Sequence, residues 1–175
     1  MKLPLFFLAV FSLSNSLGQS AKNLSLSLQV QSNITLQDNT KGNNPWSLGI
    51  GLQSSFLIKS KVHPTIELTG DLYLADDKVL RADSTGRRYK DVRSMANLFF
   101  GASLSPARNI YFSLLCGPSF ISKQLLFGLK PSVGIFFSKK QKMLAKLSYI
   151  TVFNRGNVVK QNFNSISISL GLKLY

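Results

Sequence analysis

Five charged residues interrupt the small-polar positions of an otherwise alternating chain: Glu67, Asp71, Lys130, Lys146 and Lys173. Each sits out of phase with the apolar residues around it, so all five are expected on one face of a sheet. If that face is enclosed, the chemistry is charge pairing, because buried charges must be neutralised by partners. Glu67 and Asp71 are therefore expected to pair with some of the three lysines, with Arg93 as a further contributor. Two arrangements satisfy this. One is a packed polar core that holds a barrel shut, and the other is a narrow gated pore whose surplus positive charge favours anions. The first is preferred, since the interior of an eight-stranded barrel is just wide enough for side chains to fill.

Other chemistry is scarce. His63 is the only histidine and Cys116 the only cysteine, which removes histidine-rich metal sites, cysteine-pair zinc patterns and any intramolecular disulfide. No phosphate loop, dinucleotide fingerprint or calcium loop is present. His63 precedes Pro64 and Thr65 and is expected in a short turn, far from any Ser-His-acid constellation. No catalytic residue, metal or cofactor is expected.

The elements that would position the charges are alternating strands. About eight stretches repeat one pattern. Leu24, Leu26, Leu28 and Val30 stand against Ser25, Ser27, Gln29 and Gln31; Leu48, Ile50 and Leu52 against Gly49, Gly51 and Gln53. Ile66, Leu68, Leu72 and Leu74 oppose Glu67, Thr69, Asp71 and Tyr73. Similar runs follow over 96–104, 110–120, 127–137 and 143–153, and the last reaches the end of the chain with Ile166, Ile168, Leu170, Leu172 and Leu174 opposing Ser165, Ser167, Ser169, Gly171 and Lys173. Pro118 and Pro131 cannot donate to a ladder, so a bulge or strand end is expected near each. The connections 59–64, 105–109 and 138–142 are short, while 33–45, 75–92 and 154–162 are longer; only 122–125 departs from the alternation. Short turns at one end and longer loops at the other describe an up-and-down antiparallel meander. The longest loop mixes Asp76, Asp77, Asp83 and Asp91 with Lys78, Arg81, Arg87, Arg88 and Lys90, and is expected to be disordered.

Residues 1–18 have the layout of a secretory signal: Lys2, an apolar run from Leu3 to Leu13, and Ser16-Leu17-Gly18 before Gln19. The run is too short to span a membrane as a helix, which takes about 20 residues. Residues 19–175 are then a single domain. The formal net charge is +14 with 45% hydrophobic residues, and no acidic residue follows Asp91. An exported basic chain meets lipid headgroups and lipopolysaccharide rather than nucleic acid. Lys59, Lys61, Arg108, Lys139, Lys140 and Lys142 would gather at the short-turn rim.

Alternation alone does not say which face is enclosed. A soluble lipocalin-like barrel would bury the apolar face around an apolar ligand. A water-facing sheet, however, normally carries Lys, Glu, Thr and Arg, and here the polar face is mostly Ser, Gly, Gln and Asn. Such residues suit a crowded interior, with the bulky apolar face turned to lipid. Closure into a barrel would satisfy every backbone group within the bilayer.

The leader ending Ser16-Leu17-Gly18-Gln19, the repeated strands and the closing Ser169-Leu170-Gly171-Leu172-Lys173-Leu174-Tyr175 resemble the small eight-stranded outer-membrane β-barrels of the OmpA-barrel and OmpX kind. They look most like the outer-membrane β-barrel domain proteins of Bacteroidetes-type bacteria. The resemblance implies a closed all-β, up-and-down antiparallel transmembrane barrel in the outer membrane, monomeric, inserted by the barrel-assembly machinery, with a structural, adhesive or narrow porin-like role. That machinery reads a terminal aromatic in the family; here Tyr175 has the opposite parity from Leu170, Leu172 and Leu174. Some relatives of this kind modify lipid A, and the deacylases carry a His-x-Ser dyad on a late strand. This chain has no histidine there, so that activity is the remoter alternative.

Overall fold

The computed structural model describes residues 24–36, 46–57, 61–73, 81–82, 88–89, 94–121, 124–137, 142–153 and 162–174. Strands β1 (Leu24–Thr35), β2 (Trp46–Phe56), β3 (Val62–Tyr73), β6 (Ser94–Ala107), β7 (Ile110–Ile121), β8 (Gln124–Phe136), β9 (Met143–Phe153) and β10 (Phe163–Lys173) close a barrel in the order β1-β10-β9-β8-β7-β6-β3-β2. Every neighbouring pair in that ring is antiparallel. A two-stranded ribbon of β4 (Arg81–Ala82) and β5 (Arg88–Tyr89) forms within the 75–92 connection, which was expected to be disordered.

The stagger of the barrel can be read by stepping sideways from partner to partner. His63 on β3 pairs with Ser103, which pairs with Ser113, then Ser132, Ser148, Ser167, Asn33 and Ser47. Ser47 returns to β3 at Tyr73, ten residues beyond the start. Eight strands with a stagger of ten make a tilted, narrow barrel whose lumen is side-chain filled.

The apolar face points outward. On β10, Ile168, Leu170 and Leu172 are 54%, 64% and 54% exposed, while Ser165, Ser167 and Ser169 are fully buried. The same division holds on β1, β2 and β3, where Val30, Ile50 and Leu72 face out and Gln31, Gly51 and Asp71 face in. An outward belt of isoleucine, leucine and phenylalanine is stable against hydrocarbon and costly against water. The lipocalin-like alternative needs the reverse orientation and is overturned by this one. Trp46, Phe120 and Phe127 lie at the long-loop end of the belt, where Phe127 stacks with Phe153 at a centroid distance of 6.3 Å. Phe56 and Phe137 lie at the short-turn end, so aromatic residues flank the belt on both sides.

Several expectations about strand limits are corrected. Neither Pro118 nor Pro131 ends its strand or shifts the register. The β6–β7 pairing lapses opposite Pro118 and the β8–β9 pairing opposite Pro131, and each resumes in the same register. Each proline removes one N–H from the ladder, and the closed ring holds the strands in place across the gap. The register shift falls instead between Leu104 and Ala107, beside the two-residue turn Arg108–Asn109. Strand β1 runs on through Asn33 to Thr35, and β3 begins at Val62, which takes His63 out of the turn and into the wall. Residues 1–18, Arg93 and Tyr175 lie outside the described residues.

Candidate lumen site

Inward-facing residues divide the lumen into three layers along its axis. At the long-loop end, Tyr73, Met95, Phe99, Leu115, Ile121, Ile150, Val152 and Phe163 form a buried apolar cluster. Tyr73 and Phe163 meet edge to face at 5.9 Å. This plug was not anticipated, although its members sit at the inward parity of their strands. Apolar residues on both faces of a strand erase the alternation that identifies the inward one, as along β9 from Ile150 to Phe153.

The middle layer holds the charges. Lys130 Nζ lies 2.6 Å from Glu67 Oε1, and Lys146 Nζ lies 2.8 Å from Glu67 Oε2. All three side chains are at most 1% exposed. Strand β9 stands four places from β3 in the ring, diametrically opposite, so Lys146 and Glu67 span the lumen from facing walls. Lys146 also donates to Gln53 Oε1 at 3.0 Å, and Gln29 Nε2 donates to the same oxygen at 3.0 Å. Each carboxylate oxygen thus takes one ammonium, and the second lysine is held additionally by an amide. Charge-assisted bonds of this kind are the strong members of their class.

Asp71 and Lys173 are placed differently from the expectation. Asp71 accepts a hydrogen bond from Gln31 Nε2 at 2.7 Å, and the lysines next to Glu67 do not reach it. It is four residues further along β3, about 13 Å toward the plug at the usual strand rise. An amide supplies its partner there. Gly49 makes the space for it: a Cβ at that position would collide with Asp71 Oδ1. Lys173 is half-buried at the last turn of the lumen before the short-turn mouth and lines a cavity there with Ser27, Gln53 and His63. Stepping from partner to partner through Ser27 and Gln53, Lys173 reaches β3 at Glu67, four residues short of Asp71, and it bridges neither carboxylate.

A band of hydroxyl groups winds through these layers along the sideways path given above. Ser113, Ser132, Ser148 and Ser167 are buried, and none of their hydroxyls has a hydrogen-bond partner within the protein. Above them Asn33 Nδ2 donates to Ser47 Oγ at 2.8 Å, and below them Ser103 bonds Thr65 at 2.8 Å. Buried hydroxyls normally find partners, and small side chains in a row leave room for ordered water to provide them.

No known protein-family profile matches the chain, and no curated protein sequence matches it. Solved structures do. Neisserial surface protein A is 10% identical, with a TM-score of 0.55 and coverage of 86% of this chain and 95% of that one. Ail, the attachment invasion locus protein of Yersinia pestis, is 11% identical, with a TM-score of 0.54 over 86% and 97% of the two chains. The N-terminal barrel domain of Pseudomonas aeruginosa OprF is 10% identical, with a TM-score of 0.51 over 85% and 96%. The fold is that of the small eight-stranded outer-membrane β-barrels. At such identity the similarity is one of architecture. Among the described residues no group of three His, Cys, Asp or Glu side chains could hold a metal ion.

Proposed function

We propose that the chain is an integral outer-membrane barrel whose lumen is shut and whose role is structural or adhesive, carried by the segments at its long-loop end. The observation that supports this reading most is the layered filling of the lumen. Glu67, Lys130 and Lys146 bridge it from facing walls, and the apolar cluster around Phe99 and Phe163 stands beyond them. A permeating ion would have to break two buried ion pairs and then cross an apolar layer, which removes the favourable coordination that conduction needs. A narrow porin-like role is the weaker form of the same reading. The name of Ail, an attachment protein, fits an adhesive role on the same scaffold.

In this reading the chain is exported through residues 1–18, inserted by the assembly machinery and monomeric. Its partners are membrane lipid and lipopolysaccharide, with Lys61, Arg108 and Lys142, all exposed at the short-turn end, toward phospholipid phosphates. Nothing supports a lipid A-modifying activity over this role.

Two measurements test the proposal. The protein from an outer-membrane fraction is expected to migrate faster unboiled than boiled on a gel; identical migration would remove the membrane barrel. In planar bilayers neither the parent protein nor Glu67→Ala is expected to conduct, because the apolar layer remains in both. Steady conductance in the parent would overturn the shut lumen.

A further inference from the structure

Asp71 is an inward carboxylate that no ammonium group bridges among the described residues, and the groups around it are of one kind. We propose that it anchors a binding site for a monovalent cation of the sodium type, held by side-chain oxygens inside the lumen. The site is separate from the structural or adhesive role and does not rest on it.

Three amides stand around the carboxylate, and each spends its nitrogen. Gln31 Nε2 donates to Asp71 Oδ1 at 2.7 Å, Asn33 Nδ2 to Ser47 Oγ at 2.8 Å and Asn97 Nδ2 to Thr69 Oγ1 at 2.9 Å. What they leave over is oxygen. Gln31 Oε1, Asn33 Oδ1, Asn97 Oδ1 and the second carboxylate oxygen, Asp71 Oδ2, are all buried without a hydrogen-bond partner. The four residues are at most 2% exposed. The ladder gathers them. Gln31, Gly49 and Asp71 are partners in one row across β1, β2 and β3, while Asn33, Ser47 and Tyr73 form the next row on the same face. Asn97 pairs with Thr69, one row to the other side. Asn33 stands beside both Asp71 and Tyr73. Gly49 leaves room for the carboxylate, since a Cβ there would collide with Asp71 Oδ1.

Carboxylate and amide oxygens accept and cannot donate, so these four cannot satisfy one another. A buried carboxylate needs a charged partner or a metal ion. Anionic and neutral oxygens together are the ligands that a hard cation takes. Charge then selects the valence. One carboxylate neutralises a monovalent ion and leaves a divalent one with excess charge, beside a layer where Glu67 already holds two ammonium groups. The further acidic ligands that a divalent ion recruits are missing among the described residues.

The chain is refolded into phosphatidylcholine vesicles and unfolded by urea in sodium, potassium, calcium or choline chloride at one ionic strength. The fluorescence of Trp46, the single tryptophan, follows the transition. Refolding in each salt loads the site without passage through a closed lumen. Sodium or potassium, in contrast to choline, is expected to stabilise the barrel, the folding equilibrium constant rising about tenfold for each tenfold rise in salt above half-saturation. Asp71→Asn should remove that dependence. Asn33→Ala should move half-saturation to about tenfold higher salt, the effect of losing one charge-assisted contact. Lys61→Gln, exposed at the short-turn end, should keep the dependence of the parent. Should Asp71→Asn fail to fold, a crystal of the parent grown in rubidium chloride carries the test. An anomalous peak within coordination distance of Asp71 Oδ2 and Asn33 Oδ1 is expected there, and its absence overturns the site. Equal stability in sodium, potassium and choline, the outcome if Asp71 holds a proton instead, overturns the proposal, as does a parent-like dependence in Asp71→Asn. Stabilisation by calcium alone overturns the monovalent assignment.

Discussion

The two ends of the lumen are built on the same eight strands and differ in almost every other respect. The long-loop end is packed with Met95, Phe99, Ile121 and Phe163 and has no measurable exposure at Phe99 or Phe163. The short-turn end is lined by serines and basic residues around an open cavity. Between them the bridged carboxylate of Glu67 separates an apolar layer from a cavity with a largely polar wall. The same strand supplies both environments: β3 begins with His63 in the cavity wall and ends with Tyr73 in the plug. A barrel with an alternating wall is thus free to fill its interior differently at each level, because the membrane constrains only the outward residues.

The largest effect is expected where the two environments meet. Glu67→Gln leaves two buried ammonium groups without their shared counter-charge and should cost about 3–5 kcal/mol. Urea unfolding in lipid vesicles, followed by the fluorescence of Trp46, the single tryptophan, measures it. A loss below about 1 kcal/mol would mean that the bridge contributes no more than an exposed pair. Next, Phe99→Ala should cost about 3 kcal/mol by opening a void in the plug.

Gly49→Ala tests the fit around Asp71. Its Cβ would meet Asp71 Oδ1 and the Gly70 carbonyl, so about 1–3 kcal/mol of overpacking is expected. Gly70→Ala, with nothing within 4 Å, should stay within about 0.5 kcal/mol of the parent. Equal losses at both positions would contradict the inward assignment of Gly49 on β2 and the outward assignment of Gly70 on β3. The smallest effect belongs to the mouth of the cavity: Lys173→Gln, at a half-buried side chain that bridges neither Glu67 nor Asp71, should change stability by no more than about 0.5 kcal/mol in the same unfolding measurement. A large loss of stability would instead make Lys173 part of the barrel's framework.

Much of the fold could be read in the chain because strand alternation is local. Ile166 to Leu174 and the seven earlier runs show their two faces without any knowledge of their neighbours. The choice of Ser, Gly, Gln and Asn for one face also pointed to an enclosed lumen. The limits of the strands were less legible. Asn33 looks like a loop residue until its amide is seen donating to Ser47, and His63 looks like a turn residue until β3 is seen to begin at Val62. In both cases a pairing partner distant in sequence extends the strand beyond its own propensity.

The sequence by itself determined the two-faced strands, their number, the turn asymmetry and the set of inward charges. Tertiary structure alone decided which charges meet. Glu67, Asp71, Lys130, Lys146 and Lys173 share one face, but a face has length as well as direction. The stagger of ten residues around the ring sets which level of β3 lies across from which level of β8, β9 and β10. That offset is a property of the closed ring, summed over eight pairings, and no single strand carries it. It brings Lys130 and Lys146 to Glu67, leaves Asp71 to Gln31, and sets Lys173 at the mouth beside Arg108 and His63.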